Sequence, residues 1–185
     1  MARLILEPTP SLRDILGSVE TAHRVARALF RSARTLYSHR RAIVAVEVAG
    51  IVGVVIATSG REWQRRRVWT GLVMLRAGFA RARALLRSGA LLDELTPAVP
   101  ADSVYVASLA VAPDARGRGV GSALMASVEA EARRRGAARL ALDVSRANAG
   151  GRAFYARLGF VEASTTAVTG FLRLEKPVCP TAAAA

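Results

Sequence analysis

The residues best suited to chemistry lie in one stretch, Val111-Ala-Pro-Asp-Ala-Arg116-Gly117-Arg118-Gly119-Val120-Gly121-Ser122-Ala123-Leu124. A strand running into Pro113 must stop there, because proline cannot donate to a ladder. The chain then passes three alternating glycines before a helical pattern begins. Glycine permits a positive φ and lets a ligand approach the backbone closely. Free amides at a helix amino terminus converge on one concavity, which binds an anion by geometry and by dipole. Arg116 and Arg118 add donors that can meet phosphate oxygens in a fork. The chemistry implied is the grip of a phosphate or diphosphate; a turn whose glycines serve only tight packing is the plainer alternative.

The spacing narrows the ligand. A dinucleotide fold needs G-x-G-x-x-G or a final alanine, with an acid about 20 residues on. Asp143 ends a strand at a tempting distance. However, Gly117 and Gly119 are followed at the third place by Ser122, and Gly119 and Gly121 by Leu124. Too little chain follows for the rest of such a sheet. The P-loop is excluded, since no Gly-Lys-Ser/Thr occurs.

The pattern Arg116-x-x-Gly119-x-Gly121 after Val-x-Pro instead resembles the coenzyme A loop of the GCN5-related N-acetyltransferases, the GNAT family. A second block agrees: Asp143-Val-Ser-Arg-Ala-Asn148-Ala-Gly-Gly151-Arg-Ala-Phe154-Tyr155-Ala-Arg-Leu-Gly159-Phe160. It is similar to that family's downstream motif, where an asparagine follows a strand, a short helix bears Phe-Tyr, and Gly-Phe opens the next strand. The clear resemblance covers residues 103–174.

The resemblance implies an α/β (α+β) fold with a mixed, mostly antiparallel sheet of six to seven strands and flanking helices. Its fourth and fifth strands, near 103–111 and 139–144, are expected to splay. It further implies that the pantetheine arm of acetyl-CoA pairs with Leu109, Ala110 and Val111. Arg116, Gly117, Arg118, Gly119, Val120, Gly121 and Ser122 would hold the diphosphate, and Asn148 would contact the arm. Tyr155 would face the thioester sulfur as the general acid. A phenol near pKa 10 is protonated at pH 7 and can supply a proton to a leaving thiolate whose conjugate acid lies near 8.5. Gly151 stands where the family usually has alanine. No glutamate lies in the fourth strand as a base for the amine, and Asp102, Asp93, Glu94 and Glu47 remain unranked candidates.

Several elements must position these groups. Residues 3–7 read as a short edge strand, 11–39 as one or two helices, and 43–48 with 51–58 as a hairpin. Residues 61–95 read as a basic amphipathic helical insertion, followed by a linker turn at 96–101. The second half reads as strand 103–111, helix 122–135, strand 139–144, helix 152–158, a strand from Phe160, and a last strand over 168–174. Residues 1–176 are expected to form one domain, and 177–185 a disordered tail.

Composition bounds the rest. With 185 residues and 52% hydrophobic content, the chain can bury a core without disulfides or metals. The lone Cys179 founds no disulfide framework, and no metal site is expected; His23 and His39 lack ligand spacing. The start MARLILEPTP has too short an apolar run for export, which predicts a cytoplasmic protein. Residues 42–58 are better read as strands than as a membrane span, because of Glu47, Gly50 and Gly53. The net charge is +13, from 27 basic and 14 acidic residues. Such a field attracts anions without choosing among them. A basic nucleic-acid- or ribosome-associated module keeping the fold without activity is the alternative, and a peripheral membrane role over 61–87 a weaker one. Only 5% of residues are aromatic, too few for base-stacking platforms, so no nucleic acid is expected as a partner. The expected partners are acetyl-CoA and an unidentified amine, with room left for a homodimer.

Overall fold

The computed structural model describes residues 19–48, 50–77, 97–163 and 170–179. The elements are helix α1 (Val19–Arg31), strands β1 (Ala42–Glu47) and β2 (Gly50–Ser59), helix α2 (Gly60–Ala77), strand β3 (Ser103–Val111), helix α3 (Val120–Arg134), strand β4 (Arg139–Ser145), helix α4 (Ala149–Arg157), and strands β5 (Val161–Glu162) and β6 (Phe171–Pro177). The six strands form one sheet in the order β1-β2-β3-β4-β6-β5. Only β3 and β4 run parallel. This is the mixed, mostly antiparallel sheet expected.

Two clusters sandwich the sheet. Leu124, Met125 and Val128 of α3 pack on Val55, Val104, Val106, Leu140, Leu142 and Val144, with α4 alongside. On the other face, Leu36, Trp63, Val99, Tyr105 and Ala141 form a second cluster under α1 and α2. Burying a large apolar side chain contributes about 1.5–3 kcal/mol; Trp63, Leu36 and Val55 are wholly buried.

The insertion begins at a serine cap, the first half of a capping-box pattern, that the sequence reading passed over. Ser59-Gly-Arg-Glu62 places a serine three residues before a glutamate, and Ser59 Oγ accepts the Glu62 amide at 3.3 Å. Glu62 also accepts from Arg41 Nη2 at 2.5 Å, Arg66 Nε at 2.8 Å and Thr58 Oγ1 at 3.1 Å, fastening α2 to β2. The return segment docks beside this start. Trp63 Nε1 donates to Pro97 O at 2.8 Å and Gln64 Nε2 to Val99 O at 3.2 Å. Any Cβ at Gly60 would sit 1.8 Å from Pro100 O, so no other residue fits there.

Several boundaries differ from expectation. The last strand is Phe171–Pro177 rather than 168–174, because Gly170, at φ 85°, turns the chain just before it. Helix α3 starts two residues before 122, and α4 starts at Ala149 rather than 152 because Asn148 caps it. The fold also reaches past residue 176. Val178 is buried, and its amide donates to Ala138 O at 2.9 Å. The expected strand at 3–7, the helix before Val19, the insertion beyond Ala77 and the candidates Asp93 and Glu94 lie outside the described residues. Among the described residues, no helix is long and apolar enough to cross a membrane.

Candidate functional site

The sheet opens into a fork. The ladder between β3 and β4 holds only three pairs, Ser103 with Arg139, Val104 with Leu140 and Tyr105 with Ala141. Beyond them β4 keeps its full pairing with β6, and β3 its pairing with β2. These are the two strands expected to splay.

Backbone directions inside the fork follow from the register. The Ala112 amide donates to Val52 O at 2.8 Å, and alternate residues of an antiparallel ladder point the same way. Ala110 therefore turns its polar groups toward β2, while Leu109 and Val111 present theirs to the gap. Of the three residues expected to pair with an arm, Ala110 is thus turned away. A bulge at Ala107 precedes them, since Val106 pairs with Ala57 but Ser108 with Ile56. The bulge was legible but missed: Val104 and Val106 are apolar at even positions, Leu109 and Val111 at odd ones. Bulges re-aim side chains and often lie beside active sites.

The glycine-rich loop continues from the open end of β3. Gly117 and Gly119 have φ of 76° and 85°, the left-handed region, and Gly119 is the N-cap of α3. Gly121 serves a different purpose. It is helical, and a Cβ there would come within 3.2 Å of Phe154 Cζ, so it lets α3 approach α4. Among the described residues, the amides of Gly117, Arg118, Gly119, Val120, Gly121 and Ser122 have no main-chain acceptor, whereas the Ala123 amide returns to Gly119 O at 3.0 Å. Arg116 Nε donates to Val111 O at 3.1 Å, tying the loop to the strand end. Arg118 Nη2 pairs with Glu47 Oε1 at 2.9 Å, both side chains well exposed. The two arginines thus also shape the loop.

Helix α4 supplies the other wall. Asn148 Oδ1 accepts the Gly151 amide at 2.8 Å, so in this structure the asparagine caps its own helix. A Cβ at Gly151 would lie 2.6 Å from Asn148 Nδ2. Glycine at 151 is what lets the cap close. Tyr155 packs against the α3-side core, edge-on to Phe154 at 5.1 Å and to Phe160 at 5.7 Å. Burial pushes its phenol up to about 12. Among the described residues its hydroxyl has no hydrogen-bond partner. Of the described base candidates, Asp102 pairs with Arg139 at 3.0 Å and Glu47 with Arg118.

All three tyrosines of the chain resist ionisation. Tyr37 is raised to about 12 and Tyr105 well above 10, both first by burial and then by the charge of Asp143. A folded pKa above the unfolded value of about 10 stabilises the fold fully below pH 10 and loses that contribution as pH rises through 12. An absorbance titration is expected to show no phenolate below about pH 10.5, then all three groups ionising together with loss of near-ultraviolet dichroism. A tyrosine titrating separately near pH 10 in the folded protein would contradict this.

The chain matches the model of the Acetyltransferase (GNAT) family over residues 18–160. No curated protein sequence matches it. Among solved structures, an N-acetyltransferase from Staphylococcus aureus Mu50 superposes with a TM-score of 0.73 at 14% identity, over 96% of this chain and 92% of that one. A structure described as an acetyltransferase gives 0.68 at 23% identity, over 96% and 93%. The PaiA N-acetyltransferase from Thermoplasma acidophilum, solved in complex with coenzyme A, gives 0.57 at 14% identity, over 95% and 89%. At these identities the superpositions speak for the fold, while the family match spans most of the chain. This chain belongs to the GNAT acetyltransferase family.

Proposed function

We propose that the protein transfers an acetyl group from acetyl-CoA directly to an amine. The carrying observation is the β3–β4 fork, whose gap-facing Leu109 and Val111 lead straight into a turn of unpaired amides. Such a turn fits a diphosphate, and the open strand edge fits an amide-bearing arm. Leu109 and Val111 would orient the arm, the amides of residues 117–122 would hold the diphosphate, and a backbone N–H of β3 would polarise the thioester oxygen. Tyr155 would donate a hydrogen bond to the departing sulfur. With Asp102 and Glu47 both in ion pairs, we assign no side-chain base to the amine; holding both reactants together supplies much of the acceleration.

The test is a thiol-release screen with acetyl-CoA over small amines, peptide amino termini and lysine side chains. Binding is checked separately by thermal shift, where coenzyme A but not NAD should raise the melting temperature. Gly119→Val should weaken coenzyme A binding by about tenfold or more, because the left-handed conformation at 119 costs a side-chain-bearing residue about 1–2 kcal/mol. Unchanged affinity in that variant would remove the loop from the binding site.

A further inference from the structure

We propose that Tyr105 is a positioning residue whose hydroxyl, held by Asp143, fixes where the β3–β4 fork opens. The inference rests on the acyl-transfer reading and concerns the same fork. Tyr105 belongs to the last backbone pair, opposite Ala141. The next β4 residue on the same face is Asp143, two residues past the end of the ladder. Tyr105 O–H donates to Asp143 Oδ2 at 2.9 Å. A side-chain bond thus reaches past the last backbone pair, to where the main chains have parted.

Asp143 is itself immobilised. It sits opposite Arg173 on β6. Arg173 donates from Nε to Oδ1 at 2.5 Å and from Nη2 to Oδ2 at 3.0 Å. Its Nη1 also donates to Ala98 O at 3.0 Å, and the guanidinium lies 5.6 Å from the centre of the Tyr105 ring. Trp63 packs on that ring at 4.4 Å. Tyr105 and Arg173 are each 5% exposed and Trp63 not at all. One buried network thereby fixes β3, β4 and β6 at the crotch of the fork. The bulge at Ala107 changes register just beyond, so stitch and bulge bracket the point where strand pairing gives way to open edge.

A phenylalanine at 105 would fill the same apolar space, so the core does not require the hydroxyl. What the hydroxyl adds is a unique placement, as satisfied buried networks do. Without it, the three backbone pairs and the ring contacts of residue 105 hold the crotch with no polar link across it to Asp143, and the gap-facing groups of Leu109 and Val111 shift relative to a bound thioester. A displacement of about 1 Å can cost up to about 100-fold in rate.

Tyr105→Phe is therefore expected to lower kcat about tenfold, to leave the dissociation constant of coenzyme A within about threefold because the loop amides are untouched, and to keep the melting temperature within a few degrees. Hydrogen exchange of the amides of Val106 and of residues 142–144 should quicken in the same variant without ligand. Wild-type kcat in Tyr105→Phe, or a fall in kcat no larger than the loss of folded protein, would overturn the inference. A wild-type chain that binds coenzyme A but acetylates no amine defeats the acyl-transfer reading instead, and the exchange measurement then still decides whether the hydroxyl holds the fork.

Discussion

Replacing Tyr155 with phenylalanine is expected to lower kcat for acetyl transfer by about 10- to 100-fold while leaving coenzyme A affinity unchanged. The range follows from the acid strength of the buried phenol. At about 12, it is a weaker acid than a thiol near 8.5 by about 3.5 units, or about 5 kcal/mol, so handing its proton wholly to the thiolate is uphill. A hydrogen bond to a charged partner contributes about 1.5–3 kcal/mol, which sets the size of the loss. The same acid strength fixes the pH dependence. The protonated phenol persists until about pH 12, so Tyr155 adds no alkaline fall in kcat below about pH 11, and the variant should show the same profile at a lower level. Steady-state kinetics across pH check both. An unchanged rate removes the tyrosine from the mechanism; a wild-type alkaline limb absent from the variant refutes the raised pKa.

Arg173→Met is expected to destabilise the protein by about 3–5 kcal/mol, a large part of the stability of an ordinary domain. The side chains of Arg173 and Asp143 are only 6% and 9% exposed. Removing the cation leaves a buried carboxylate that keeps the Tyr105 hydroxyl as a donor but has no countercharge from Arg173. Replacing both partners, Arg173→Met with Asp143→Leu, should recover most of the loss, because well-packed apolar residues often match a buried ion pair. Urea unfolding of the single and double variants measures this. A double variant as unstable as the sum of its parts would show that the two side chains are not coupled, which contradicts this expectation.

The strand–loop–helix unit was legible because its signals are local. Pro113, two left-handed glycines and an apolar face at Leu124, Met125 and Val128 all act within a few residues. The Phe154-Tyr155 pair was legible for the same reason, whereas Asn148 was read as a contact to the cofactor arm and its capping of α4 was missed. The buried network was not. Tyr105, Asp143 and Arg173 lie 30 or more residues apart, and nothing local distinguishes them from surface polar residues in alternating strands. Only the non-sequential pairing of β3 with β4 and of β4 with β6 brings them together. The described part of the last strand starts at Phe171, after the turn at Gly170, and runs on to Pro177, three residues beyond the expected end at 174. The roles of Arg116 and Arg118 were half visible. Their charge suggested phosphate, but Arg116 also bonds back to Val111 at the strand end, and the Arg118 pair with Glu47 depends on where the β1–β2 hairpin stands.

The neck at Gly60 and Pro100 bears on how such a chain can diversify. Strands β2 and β3 are antiparallel neighbours, a pair that a tight turn would suffice to join. Here a long excursion leaves and rejoins the sheet at one clamped place. Its loop-closure entropy grows only slowly with length. Material grafted there can lengthen, shorten or change sequence while the glycine-rich turn, at the opposite end of β3, stays as it is. If the chain transfers acyl groups as proposed, recognition of new acceptors can be tried by exchange of a cassette, with the proposed donor half inherited intact.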